Sequence, residues 1–181
     1  LYDQKGSPAL YLPELEAAFA WRSLLFLEPR FNRIELQGLT LVVRRAHDGH
    51  FYIGGIPINP ADRDSGFSSW LLRQGRVHVG QATLTWLDEV RNAPPLIFTA
   101  VDFTLTNARR SHRLQLQAAP PASLAQPLTI DAKLSARNTD DLKTWNGTID
   151  ASMAGVSFSQ LGTWLALPYQ PQQGQGALNI Q

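Results

Sequence analysis

The sequence predicts a mainly β protein, a curved and twisted antiparallel sheet with one apolar face and short helical plugs. Three observations carry that expectation: apolar and polar residues alternate over many short stretches, the breaks between them hold glycine, proline and Asp-Gly, and a helical period appears only in brief pieces. The pivotal stretch is Phe67 to Trp86. Phe67, Trp70 and Leu71 fall at i, i+3 and i+4 behind Ser65 in the capping position, which predicts a helix over Phe67 to Gln74 stopped by Gly75. Alternation then takes over with Val77 and Val79 on one face. After Gly80 the apolar parity passes to Ala82, Leu84 and Trp86. One extra residue swaps the faces of a strand, so a parity change beside glycine predicts a bulge and a bend.

The other elements follow in chain order. Residues 1–9 read as a loose end. Leu15, Ala17, Phe19 and Trp21 alternate as a strand would, while the neighbouring alanines leave a helix open. Trp21, Leu24 and Leu25 make a first plug over Trp21 to Phe26. Ile34 and Leu36 hold one parity and Leu39, Leu41 and Val43 the other, so Gly38 marks a second predicted bulge. Asp48-Gly49 predicts a hairpin into Phe51 and Ile53, because both turn residues tolerate positive φ. Ile56 to Gly66 reads as a loop, and Leu87 to Asn92 as a polar turn. Leu96, Phe98 and Ala100 share one parity and Val101, Phe103 and Leu105 the other, a switch without glycine. Strands follow at Leu114 and Leu116, at Leu128 to Leu134, and at Trp145 to Met153. A third plug, helical over Ser159 to Leu167, precedes a last alternation from Gly176 to Ile180. Three Trp-Leu plugs, each leading into a strand, suggest one unit used repeatedly.

Composition narrows the functional classes. The chain has 181 residues, 17% of them charged against about 25% in ordinary domains, and a net charge of +1. That balance, without a basic stripe, argues against a nucleic-acid binder. Arg44-Arg45 and Arg109-Arg110 stand beside expected turns and read as solvated. Without cysteine, no disulfide or thiolate metal site can form. No run approaches the roughly 20 apolar residues of a membrane-spanning helix. The chain starts without methionine and stops in strand alternation, which reads as one segment, residues 1–181, of a longer repeat-built molecule.

No reactive constellation emerges, and neither catalytic residues, metal ligands nor a cofactor are expected. His47, Asp48 and His50 crowd one tight turn and cannot surround an ion by themselves. Asp62 and Asp64 could bind a divalent cation only with several more oxygens and a glycine-kinked loop, while Asp88 with Glu89 and Asp140 with Asp141 read as solvated turn acids. Asn146-Gly147-Thr148 fits a glycosylation sequon and equally a turn. The tryptophans read as seals at the ends of a core, with Trp86 also a candidate for a ligand surface. Too few helical residues exist to cover a one-sided apolar sheet, so that face needs a partner: a second sheet as in a sandwich, closure into a barrel, or something apolar that is not protein. The candidate surface consists of Val79, Leu84, Trp86, Phe98, Phe103, Leu116 and Ile130.

A strand into Trp21-Arg22-Ser23-Leu24-Leu25, then Arg33 to Leu36 with Gly38 to Leu41, the turn at Asp48-Gly49, Trp70-Leu71-Leu72 with Val77 to Val79, Ala82 to Asp88, and Asp141-Leu142 before Trp145-Asn146-Gly147 and Leu161 to Pro168 form an ordered pattern. It resembles the AsmA-like proteins of the YhdP-type branch, from about Leu12 onward. The resemblance implies a segment near the N-terminal side of a very long protein, anchored in the inner membrane of a Gram-negative bacterium and crossing the periplasm as an apolar β-groove. It implies phospholipid acyl chains as cargo moved toward the outer membrane, an anchor outside this segment, inner- or outer-membrane protein partners, and no catalytic residues. The competing expectation is a β-sandwich binding or adhesion module, its apolar face covered by a second sheet and its loops recognising a sugar or protein.

Overall fold

The computed structural model describes residues 9–19, 30–58, 66–137, 144–164 and 175–180. Twelve strands and two helices appear among them, in the order β1 (Leu10–Tyr11), β2 (Glu14–Phe19), β3 (Phe31–Gln37), β4 (Thr40–Arg45), β5 (Phe51–Ile53), β6 (Ile56–Ile58), α1 (Gly66–Arg73), β7 (Arg76–Asp88), β8 (Leu96–Ala108), β9 (Ser111–Ala119), β10 (Leu128–Ala136), β11 (Trp145–Ser157), α2 (Phe158–Leu161) and β12 (Gln175–Ile180). All the strands join one open, curved sheet. From β7 to β12 it is an antiparallel meander, as the alternating sequence and short turns require. On the other edge of β7, β3 and β4 lie end to end. β2 pairs outside β3, whereas β1 and the β5–β6 hairpin lie outside β4.

One part of the predicted antiparallel meander is corrected. β3 and β4 run parallel to β7, with registers Ile34↔Val77 and Leu41↔Leu84. A parallel neighbour needs a crossover of a dozen or more residues, and the stretch from β5 through α1 supplies it. The two strands keep one register relative to β7 through Gly38. Gly38 N donates to Gly80 O at 3.0 Å, and Thr83 N donates to Leu39 O at 2.8 Å.

The parity changes in the sequence become a crease across the sheet. Val79 pairs with Phe103, Ala82 with Val101 and Leu84 with Phe98, so β7 carries an extra residue before Ala82 and β8 one before Val101. The irregular residues have left-handed φ: Gly38 at +67°, Gln81 at +54° and Ala100 at +46°. Because the bulge itself swaps the parity, Val79, Ala82 and Leu84 stay on one face and pack in one cluster with Val101, Ala118 and Phe98. Both switches, the one beside Gly80 and the one without glycine at Ala100, are therefore real bulges. The predicted bulge at Gly38 is instead the joint between β3 and β4.

Ala100 is an exposed residue in a conformation that disfavours a Cβ by about 1–2 kcal/mol. Ala100→Val, β-branched at positive φ, is expected to lose about 2 kcal/mol in urea unfolding, while Ala100→Gly stays within about 1 kcal/mol of the parent. Equal stabilities for the two variants would mean that the crease is not fixed at this residue.

A second cluster sits where α1 crosses the sheet. Ile34, Val77 and Leu105 are buried beneath Trp70, Leu71 and Leu72, with Phe31 and Trp70 edge-to-face at 6.4 Å between centroids. Removing such side chains from water supplies about 1.5–3 kcal/mol each. The helix expected over Phe67 to Gln74 thus exists, although the Phe67 side chain and Ser65 lie outside the described residues. The first plug, Trp21 to Phe26, also lies outside the described residues. The stretch from Leu15 to Phe19 is strand. Ile56–Ile58, expected in a loop, forms β6 because it completes the ladder of β5. Ala9, expected in the loose end, is buried, and its carbonyl accepts from Val42 N at 3.0 Å. The third plug is helical only over α2. Its Trp164 instead turns to donate Nε1–H to Pro94 O at 2.8 Å, and Leu165 to Leu167 lie outside the described residues.

Candidate functional site

The ladder registers decide which predicted surface residues meet. Val79↔Phe103, Phe103↔Leu116 and Leu116↔Ile130 place those four in one row across β7, β8, β9 and β10. Side chains directly opposite in a ladder share a face, so the row is continuous, and Leu36 and Ala151 extend it on either side. Leu84 stands opposite Phe98, and Trp86 opposite Leu96, on the same face beyond the crease. Val79, Leu84, Phe98 and Leu116 pack around Ala82, Val101 and Ala118, while Phe103 packs toward the cluster beneath α1. Trp86 lies 6.1 Å from the Phe51 ring. All seven remain half-buried, since α1 covers the adjacent row and the sheet has no second layer among the described residues. That single sheet removes the sandwich architecture from the described residues.

Polar side chains that alternation alone did not expose fasten α1 to the sheet. Asn107 Nδ2 donates to Leu71 O at 3.0 Å and to Gln74 O at 2.8 Å, and Gln74 Oε1 accepts from Phe31 N at 2.8 Å. With both amide hydrogens so placed, Asn107 Oδ1 must accept from His112 Nδ1–H at 2.7 Å, which sets the neutral tautomer. The His112 ring stacks on Trp145 at 5.3 Å, and its Nε2 is buried without a partner. Burial lowers its pKa, because desolvation disfavours the charged imidazolium. The signal in the sequence was its parity, shared with Leu114 and Leu116.

At the far end of the sheet charges are buried on both faces, Asp88 on the apolar side and Arg44 on the other, which corrects the reading of Arg44-Arg45 and Asp88-Glu89 as solvated. Asp88 is 3% exposed and Arg44 9%. Asp88 contacts Arg45 Nη1 at 3.8 Å and Arg91 Nε at 3.4 Å, and it accepts from Arg91 N at 3.3 Å. Arg44 pairs with Glu89 at 3.2 Å and lies over the Tyr52 ring at 4.4 Å. Parity again carries the signal, for Arg45 continues Leu41 and Val43, and Asp88 continues Leu84 and Trp86.

The opposite face is polar. A row from His78 through Thr104, Gln115 and Asp131 to Asp150 crosses five strands. A cleft of about 760 Å³ opens there. Leu116 and Ile130 lie in its floor, with side chains alternating to the apolar face. A twisted sheet is hollow along one diagonal on each face, and this hollow belongs to the wetted one. Arg113 donates to Asp131 at 2.7 Å and Gln115 to the same oxygen at 3.1 Å, which holds the Asp131 carboxyl below its usual pKa. His47 to His50 form the predicted turn, with Asp48 accepting from His50 N at 3.0 Å. That hydrogen bond lowers the Asp48 pKa. Asn146-Gly147-Thr148 is strand rather than turn. Among the described residues no three His, Cys, Asp or Glu side chains gather as a metal would require, and no helix is long and apolar enough to cross a membrane. Asp62, Asp64, Asp140 and Asp141 lie outside the described residues.

An open, creased β-sheet with one apolar and one polar face is the architecture expected of the AsmA-like class. The family model described as YhdP protein matches residues 1–181, and the chain belongs to the YhdP family. No curated protein and no solved structure matches it.

Proposed function

We propose that this chain is a segment of a bridge-like phospholipid-transport protein, the periplasmic portion of an inner-membrane-anchored molecule, whose apolar β-groove carries acyl chains between the inner and outer membranes. The observation that supports this reading is the half-buried row Val79, Phe103, Leu116 and Ile130, joined on one face to Leu84, Phe98 and Trp86. Each methylene moved from water onto such a surface contributes about 0.8 kcal/mol, so two long chains are held without a specific polar contact. Membership of the YhdP family points the same way. The anchor and the membrane-protein partners belong to this proposal and lie beyond the residues described.

The test places a photoreactive residue at each of the seven positions in the full-length protein and separately introduces Phe103→Glu and Leu116→Glu. An unpartnered carboxylate facing hydrocarbon costs more than the roughly 2–7 kcal/mol of an unpaired neutral polar group, so the charged variants are expected to lose lipid crosslinks while keeping their melting temperature. Absence of crosslinks at all seven positions, together with unfolding of both charged variants, would make the row an ordinary closed core.

A further inference from the structure

The geometry points to a binding place for the anionic phosphate headgroup of a lipid, formed by Arg45 and Arg91 at the end of the apolar face; it rests on the reading of that face as an acyl-chain surface. Asp88 follows Leu84 and Trp86 in parity, so its buried carboxylate belongs to the apolar side. Such a carboxylate persists only when cations hold it, and two do, Arg45 and Arg91. One carboxylate shared by two guanidiniums leaves a formal positive charge over. At 3.8 Å the Arg45 contact with Asp88 is an ion pair without a hydrogen bond, and Arg45 Nε is buried with no acceptor. The arginine side chains are nevertheless 35% and 32% exposed, so fixed donors meet solvent at the rim.

The rim is continuous with the apolar surface. The Phe51 ring lies 5.9 Å from the Arg45 guanidinium carbon and 6.1 Å from the Trp86 ring. An acyl chain lying along Phe98, Leu84 and Trp86 therefore ends its path at these guanidiniums. Arg44 takes no part, since it alternates to the other face and is engaged by Glu89 and Tyr52. A guanidinium fork matches two phosphate oxygens, whereas an uncharged headgroup would leave the Arg45 donors unused.

The test uses full-length protein with a photoreactive residue at Phe98, exposed to vesicles containing either phosphatidylglycerol or diacylglycerol with the same chains. Phosphatidylglycerol is expected to crosslink about tenfold more, the worth of a charge-assisted contact. Arg45→Lys, which keeps the charge beside Asp88 but loses the fork, should bring that ratio toward one at an unchanged melting temperature. Arg91→Gln should do so in a protein that melts lower but remains folded at the assay temperature. A ratio untouched by both variants would overturn the headgroup site while leaving the acyl-chain surface standing. No crosslink from either lipid would remove the acyl-chain reading and this inference with it. Inorganic phosphate, added as competitor, is expected to leave the crosslinks in place; protection of the arginines by phosphate without any lipid preference would assign them to the free ion and overturn the proposal.

Discussion

Asn107→Ala is expected to destabilise the chain by about 3 kcal/mol and to release α1 from the sheet. The side-chain amide donates to Leu71 O, which also accepts from Gln74 N at 3.2 Å, and to Gln74 O just past the helix end, and it accepts from His112 Nδ1–H. Each lost hydrogen bond costs about 1 kcal/mol, and a buried group left unpaired costs more. Trp70 fluorescence should then report exposure in urea well before the meander β8 to β10 melts. The exposed neighbour Thr106→Ala, a control, should move stability by less than about 0.5 kcal/mol. His112 adds a pH signature. Its folded pKa is depressed by burial, so as pH falls below about 6.5 the unfolded chain takes up a proton that the folded chain refuses. Stability should be level above that pH and fall below it until the folded pKa is reached. His112→Phe keeps an aromatic ring against Trp145 and should flatten the slope. An unchanged slope in that variant would show that another group titrates.

The strands and their bends were legible because period-2 alternation and its interruptions are local. The switch from Val77 and Val79 to Leu84 and Trp86, and the one from Phe98 to Val101, register the extra residues of two bulges directly. Strand direction was not legible. Alternation is the same for a parallel and an antiparallel neighbour, so nothing in Ile34 to Val43 announced that β3 and β4 would lie end to end along β7 rather than pair with each other. The candidate row was legible in part: each strand's apolar parity picks its residues, but only the ladder shows that Phe103, Leu116 and Ile130 are level with Val79. The buried charges escaped because arginine and aspartate beside a turn are ordinarily exposed. Arg45 and Asp88 are level across β4 and β7, and this cross-strand position makes each the other's counter-ion. The helix at Leu161 was overextended because Trp164 fits the helical period but is used across the molecule, against Pro94.

Gly147→Ala is expected to cost about 3 kcal/mol, although its backbone is not left-handed and Asn-Gly in sequence suggests a tolerant turn. Gly147 lies inside β11 opposite Leu134, and a Cβ there would press into the Lys133 carbonyl oxygen and stand 2.8 Å from Leu134 Cα. Both obstacles are backbone, so no rotamer change relieves them and the strands must part, at the upper end of the usual cost of overpacking. The comparison is Gly49→Ala, where φ is +86° but nothing lies within 4 Å, and the loss should be the conformational 1–2 kcal/mol or so alone. β10 and β11 pair without interruption from Thr129↔Ser152 to Ala136↔Trp145, so a forced separation at Gly147 reaches Ile130↔Ala151 and the continuation of the apolar row. Amide exchange should accelerate through Lys133 to Ser135 and Asn146 to Asp150 while Val77, Val79 and Leu105 keep their protection. If Gly147→Ala matches the loss at Gly49, or if exchange rises equally in β7 and β8, then the close approach of β10 and β11 is not what requires glycine.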